Sequence, residues 1–423
     1  MTLTRRETNV YRSRLKRHRE TDGAIGNGGK DTAAMIRIGK AEFEQRIARI
    51  QEAMGREGLD ALLVYGDEYR KENLRYVCNF WPIFERAACV IPRNGRPLLA
   101  GGAEGERYAR EMCVWDDIRV GREFACVSVA EDIDFPLAEF TPLADILRDA
   151  LGGGKRLGLV GVTDMPAQIL DKIKAGAGGV EVRPADKILN ELRVIKTETE
   201  IACLREAGRL ACLGYEKLMA ACVPGNTELQ AAGAAEGAAR QAGAEDINFT
   251  VMGTGPRTAT VIGRPVNRVI KDGDMVMASF AVQYEGYVAT AEFPFVAGKA
   301  SGEQKRFLDA LFAAANEQLK YLRDGVIAGE MVRAVRTVFR KRKLDQHDIY
   351  PPMHGIGLAE AELPYPDEKA TYPLRAGMCV NSDISLFGHP AGSNRIEEGF
   401  VITAEGAESL TPLIRKLCAE AGA

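Results

Sequence analysis

Four side chains in the C-terminal half of the chain have the types that acid/base chemistry needs: Glu292, His354, Asp383 and Glu397. Glu292 closes a predicted hairpin. Val276, Ala278, Phe280 and Val282 alternate with Met277, Ser279, Ala281 and Gln283, and Tyr284-Glu285-Gly286-Tyr287 turns the chain into a second strand. A two-residue loop at Glu285-Gly286 pairs Tyr284 with Tyr287 and sets Ser279 opposite Glu292. Period two then puts Thr290 on the face of Glu292. A carboxylate flanked by hydroxyls on an enclosed strand is costly unless something bonds it. The plain alternative is a salt-bridged or edge-exposed glutamate.

His354 opens Met353-His354-Gly355-Ile356-Gly357-Leu358, where alternate glycines let a ligand approach the backbone or merely shape a loop. Met378 to Ser385 reads as a strand with Cys379, Asn381, Asp383 and Ser385 on one face, and Arg395-Ile396-Glu397 begins another. Histidines are scarce: the other three are His18, His347 and His389, the last read as a structural loop residue. The nine cysteines form no C-x-x-C pair, so they read as reduced, small hydrophobes rather than a disulfide frame or zinc site.

These residues need a scaffold, and the periodicity describes one. Phe43, Ile47, Ile50 and Met54 repeat at helical spacing ahead of Gly58. Short apolar runs at 61–65, 87–91, 97–100 and 157–161 read as strands, with a helix over Leu143 to Leu151, giving an α/β N-terminal domain over residues 41–188. Capping boxes at Thr197–Glu200, Thr227–Gln230 and Ser301–Gln304 announce three long helices. Helices alternating with hairpins make residues 189–423 an α+β domain.

Composition bounds the rest. The 423 residues carry 56 Lys+Arg against 59 Asp+Glu and are 46% hydrophobic, an ordinary globular balance that selects neither nucleic acid nor an anionic membrane. Only the start is lopsided: Arg5, Arg6, Arg12, Arg14, Lys16, Arg17 and Arg19 face Glu7 and Glu20, which with the glycine-rich stretch after them reads as a basic, flexible arm over residues 1–40. No apolar stretch has the length of a membrane span, and we expect a cytoplasmic protein.

On Gly273-Asp274, Gly286-Tyr287, His354-Gly355-Ile356-Gly357, Leu374 to Met378, Arg395-Ile396-Glu397-Glu398, and Leu192-Arg193 to Lys196 with Glu200, the chain resembles the creatinase, prolidase and methionine aminopeptidase superfamily. The resemblance implies the pita-bread fold for the C-terminal domain. It also implies, for the metallopeptidases of that fold, two metal ions held by two hairpin Asp, one His and two Glu. Here the Asp positions are Ser279 and Thr290, the first Glu is Asp383, and His354 and Glu397 alone match. Hydroxyls are poor substitutes for bridging carboxylates. Two substrate histidines are replaced as well, by Ile262 and Ala361.

By resemblance to creatinase, the metal-independent branch, Glu292 stands where a catalytic glutamate binds substrate, and Phe84-Glu85-Arg86 matches a Phe-x-Arg pair that reaches the partner subunit's site. We therefore expect a homodimer without cofactor or metal that hydrolyses a non-peptide C–N bond in a small zwitterionic guanidino, amidine or cyclic amide compound. Glu292, His354, Asp383 and Glu397 would be catalytic, and Phe84, Arg86, Ser279, Tyr287 and Thr290 would bind substrate. Two alternatives stay open: a peptidase or lyase with a single metal on His354, Asp383 and Glu397, and a non-catalytic peptide-binding module.

Overall fold

The computed structural model describes residues 36–125, 135–136 and 138–422, so the basic arm before residue 36 lies outside the described residues. The N-terminal domain is a six-stranded sheet of β1 (Ala61–Asp67), β2 (Arg86–Pro92), β3 (Leu98–Gly101), β4 (Ile118–Val120), β5 (Arg156–Val160) and β6 (Glu181–Pro184), in the order β4-β3-β2-β1-β5-β6. Its central strands β1 and β2 are buried on both faces, as their continuous apolar runs require. Helix α1 (Lys40–Arg56) packs Phe43, Ile47, Ile50 and Met54 onto one face, the stripe expected from their spacing. Helix Leu143–Leu151 covers the other face and spans the residues its periodicity marks out.

The C-terminal domain is built on a second sheet, of eight strands of mixed lengths. It holds β7 (Asp246–Thr254), β8 (Met275–Tyr284), β9 (Tyr287–Glu292), β10 (Phe295–Val296), β11 (Met353–Gly355), β12 (Cys379–His389), β13 (Gly392–Ile402) and β14 (Ala407–Ser409). The central path runs β10-β8-β9-β13-β12-β11, with β7 paired to β8 and β14 to β13. Helices Glu198–Ala221, Glu228–Gln241 and Gly302–Leu319 each begin at a complete capping box, as read from the sequence. With Ala328–Lys341 they bury one face of this sheet in a large apolar core. The β8–β9 turn is the expected two-residue loop: Tyr284 pairs with Tyr287, and Glu285 and Gly286 both adopt positive φ.

Two buried ionic clusters join the domains. Arg46 is almost wholly enclosed; it donates to Glu42 at 2.8 Å and to the Tyr287 hydroxyl at 2.9 Å, and lies 3.2 Å from Glu200. Tyr287 in turn donates to Glu200 at 2.7 Å. Arg193 and Lys196, just before the first long helix, both grip Glu362, and Arg193 also donates to Asn73 of the N-terminal domain at 2.9 Å. Glu362 belongs to the loop after His354, so the interdomain segment fixes part of the site's wall. Along that loop the Gly355 amide donates to the carbonyl of Pro364 at 2.7 Å. A Cβ at position 355 would stand 2.2 Å from the Leu363 carbonyl oxygen, which requires glycine there.

Removing one partner of a buried charge group strands the others without water. Arg46→Ala should therefore lower stability by about 3–5 kcal/mol in urea unfolding; a loss below about 1 kcal/mol would mean the cluster carries no such role.

Candidate active site

The sheet register assembles the acids before any long-range folding argument is needed. Glu292 of β9 pairs with Glu397 of β13, and Glu397 pairs with Asp383 of β12. Three carboxylates thus stand side by side on three neighbouring strands, about one strand spacing apart. All three are buried. Period two places Arg395 on the same face as Glu397, and its guanidinium enters the row. Arg395 Nε donates to Glu292 Oε2 at 2.6 Å and lies 3.0 Å from Glu397 Oε1, while Nη1 donates to the Tyr350 hydroxyl at 3.1 Å.

Glu397 is the carboxylate best provided with donors. Besides Arg395, it receives the Ser279 hydroxyl at 3.0 Å and the Asn381 amide at 3.3 Å, both on Oε2. The other acids are less fortunate. Glu292 Oε1 and Asp383 Oδ1 are buried with no hydrogen-bond partner among the described residues. Burial pushes the Glu292 carboxyl up to about 8 against the pull of Arg395, with Glu397 adding repulsion. Burial likewise raises Asp383 to about 7, again opposed by Arg395 and reinforced by Glu397.

A cleft of about 860 Å³ opens over this row. Tyr350, His354, Glu360, Asp383, Arg395 and Glu397 form its polar floor. Glu292, expected as a catalytic group, is wholly buried, bonds Arg395 and is not among the residues that line the cleft. His354 Nδ1 donates to the Gly355 carbonyl at 3.1 Å, which leaves Nε2 facing Glu360 Oε1 at 3.5 Å. Its ring stacks on Tyr365 with centroids 5.7 Å apart. Burial opposes the imidazolium, yet Glu360 and Asp383 outweigh it and raise the His354 pKa.

Several expected site residues stand elsewhere. Tyr287 is spent on the interdomain cluster with Arg46 and Glu200, because alternation points it to the face away from the acids. Phe84 is 65% exposed and Arg86 lies on β2, beside Asp67 and Tyr65; neither lines the cleft of its own chain. Ser279 meets Glu397, and Thr290 lies on the sheet beside Glu292 and near Glu360. Glu360, absent from the expected set, is the residue the fold adds. Its signal was an acid six positions after His354 in a glycine-shaped loop. Ile262 and Ala361 both line the cleft, so no imidazole takes the place of the missing histidines there.

A two-metal centre does not fit this donor set. Ser279 and Thr290 supply hydroxyls where hard cations need bridging carboxylates, and Arg395 already holds Glu292 and Glu397. Among the described residues no three His, Cys, Asp or Glu side chains are arranged to hold a metal ion.

Residues 202–404 match the family described as Metallopeptidase family M24, and residues 46–195 match the Creatinase/Prolidase N-terminal domain. The chain is 23% identical to the Xaa-Pro dipeptidase of Pyrococcus horikoshii over 89% of its own length and 99% of that protein. It is 27% identical to the probable dipeptidase PepE of Mycobacterium tuberculosis over 62% and 70% of the two chains. Among solved structures, the Pyrococcus horikoshii prolidase superposes with a TM-score of 0.75 at 21% identity, covering 87% of this chain and 98% of that one. Dipeptidase PepE from Mycobacterium ulcerans gives 0.73 at 26% identity, covering 88% and 96%. The two-domain fold is thereby established. The expectation of a creatinase-like, metal-independent hydrolase of non-peptide C–N bonds is overturned, since these relatives are named as dipeptidases and prolidases. No helix among the described residues is long and apolar enough to cross a membrane.

The raised carboxyls give stability a pH slope of defined sign. Glu292 and Asp383 prefer their neutral forms in the folded chain, so their contribution is complete below the ordinary carboxylate range and is lost as pH rises through about 7 to 8. The melting temperature should fall between pH 6 and pH 9, and Glu292→Gln, which cannot ionise, should flatten that fall. Parallel curves for the two proteins would show that Glu292 ionises freely.

Proposed function

We propose that this chain, whose two domains match the Creatinase/Prolidase N-terminal domain and Metallopeptidase family M24, hydrolyses the peptide bond of short peptides, with Asp383 as the acid/base group. One observation carries the reading: Asp383 lines the cleft, has an oxygen without a partner, stands next to Arg395 and Glu397 on the sheet, and titrates near 7. A proton-transfer group is most effective when its pKa lies near the working pH. The names of the curated relatives support the bond type.

The residues can divide the work as follows. Arg395, held in place by Glu292 and Glu397, presents N–H donors toward the cleft and suits the carbonyl oxygen, whose negative charge grows as water adds. Ionised Asp383 takes a proton from that water while its oxygen bonds to the carbonyl carbon. The same carboxyl then returns the proton to the leaving nitrogen as the C–N bond breaks, releasing a carboxylic acid and an amine. Glu360 and Glu397 offer anionic oxygens to a peptide's ammonium end. His354, stacked on Tyr365 and facing Glu360, orients that carboxylate.

Asp383→Asn should lower kcat for dipeptide hydrolysis by about 10²-fold or more while leaving KM within a few-fold. In the parent protein kcat/KM should rise with pH through about 7 as Asp383 ionises. Undiminished turnover in the variant would end the assignment. Peptide binding without turnover in the parent would instead assign the cleft to peptide capture, the reading that Ser279 and Thr290 favour.

A further inference from the structure

The cleft is lined by more than the row of acids. Its wall includes Arg264, which is exposed and whose guanidinium has no ion pair or hydrogen bond among the described residues. The other guanidinium of the cleft, Arg395, already holds Glu292, Glu397 and Tyr350 through Nε and Nη1. The backbone around Arg264 is firmly placed. Its carbonyl accepts from Arg257 at 2.9 Å, the Gly263 carbonyl accepts from the Met252 amide at 2.8 Å, and the Val266 amide donates to Glu228 at 3.1 Å. Glu228 itself is wholly buried and also holds the Thr254 amide and hydroxyl. An exposed cation on a pinned strip is a prepared contact.

Part of the same wall is apolar, beside Glu236, Asn248 and Thr250. Ile262 is 73% exposed and Leu229 49%, with Ile247, Phe249 and Pro265 beside them in the same cleft. Large aliphatic side chains left this open at a cleft gain from being covered by a ligand. Val261, just before Ile262, is β-branched with φ of 62°, a conformation such residues rarely adopt. At the floor, Asp383 Oδ1 is a buried acceptor awaiting a donor.

We infer that Arg264, Ile262 and Leu229 form a recognition subsite for the free carboxylate and an apolar side chain of a zwitterionic dipeptide, whose ammonium end lies over the acids. This deepens the peptidase reading and rests on it for the reaction, though its test reads binding. A carboxylate suits a guanidinium through paired N–H donors, and a neutral carboxamide loses the charge-assisted part of that contact. The volume of the cleft is within the range that small ligands occupy.

The probes are leucyl-leucine with its amide carbonyl reduced to methylene, which cannot be hydrolysed, its C-terminal carboxamide, and the corresponding glycyl-glycine compound. Calorimetric titration of the full chain should show the free acid binding at least about tenfold more tightly than the carboxamide. Arg264→Gln should bring the two to equal affinity, and Ile262→Ala should weaken the leucine compound several-fold more than the glycine one. Equal affinities in the parent protein, persistence of the preference in Arg264→Gln, or no binding of either leucine compound would overturn the subsite. The two readings separate cleanly: peptides cleaved without acid-over-amide preference would remove the subsite alone, and the predicted binding pattern without hydrolysis would remove the peptidase reading alone.

Discussion

One guanidinium serves a row of carboxylates. Glu292, Glu397 and Asp383 occupy facing positions on three adjacent strands, and Arg395 is the permanent cation that reaches the row. Glu360 adds a fourth acid from the neighbouring loop. Burying several ionised carboxylates around one permanent cation is untenable in a low-dielectric interior, so protons on the acids, the His354 imidazolium or a cationic ligand must make up the difference. The geometry shows how it is divided. Glu397 takes three donors, whereas Glu292 and Asp383 keep unpartnered oxygens and hold protons into the neutral range. The same surplus of acceptors that destabilises the empty site makes it receptive to an ammonium group.

The rest of the molecule keeps this arrangement in register. The hairpin turn at Glu285-Gly286 fixes β8 against β9 and thereby the height of Glu292. Arg193 and Lys196 clamp Glu362, which holds the loop carrying Glu360 and Tyr365 against the end of β11. Buried ion pairs of this kind add little net stability beside well-packed apolar groups, but they fix geometry strongly because each broken partner is left in a dry environment. The N-terminal domain therefore acts on the cleft through the interdomain segment and the Arg46 cluster, although its own sheet contributes no residue to the cleft floor.

Much of this was legible in the residues themselves. Capping boxes, the 143–151 helix and the two-residue hairpin depend on local rules, and the structure reproduces them. The acids Asp383 and Glu397 were readable too, because period two fixes which side of a strand each one faces. What escaped were the long-range contacts. Alternation alone could not tell that Tyr287 faces a second core, where Arg46 and Glu200 claim its hydroxyl, nor that Glu292 would bond Arg395 and not line the cleft. Glu360 lies in a loop whose path is set by Arg193 and Lys196, over 150 residues away in sequence. The reaction was misjudged for a related reason: missing metal ligands describe what the donor set can hold, not which bond is broken, and the relatives redirect that judgement to peptides.

The row shares too little positive charge for all its acids to ionise at neutral pH. Carbon-13 NMR titration of side-chain carboxyls, assigned by comparing the parent protein with Asp383→Asn, observes this without any substrate. The Asp383 carboxyl should titrate with a midpoint near 7. A midpoint near the ordinary aspartate value of about 4 would contradict this, since the row would then carry its full negative charge with only Arg395 and His354 to balance it.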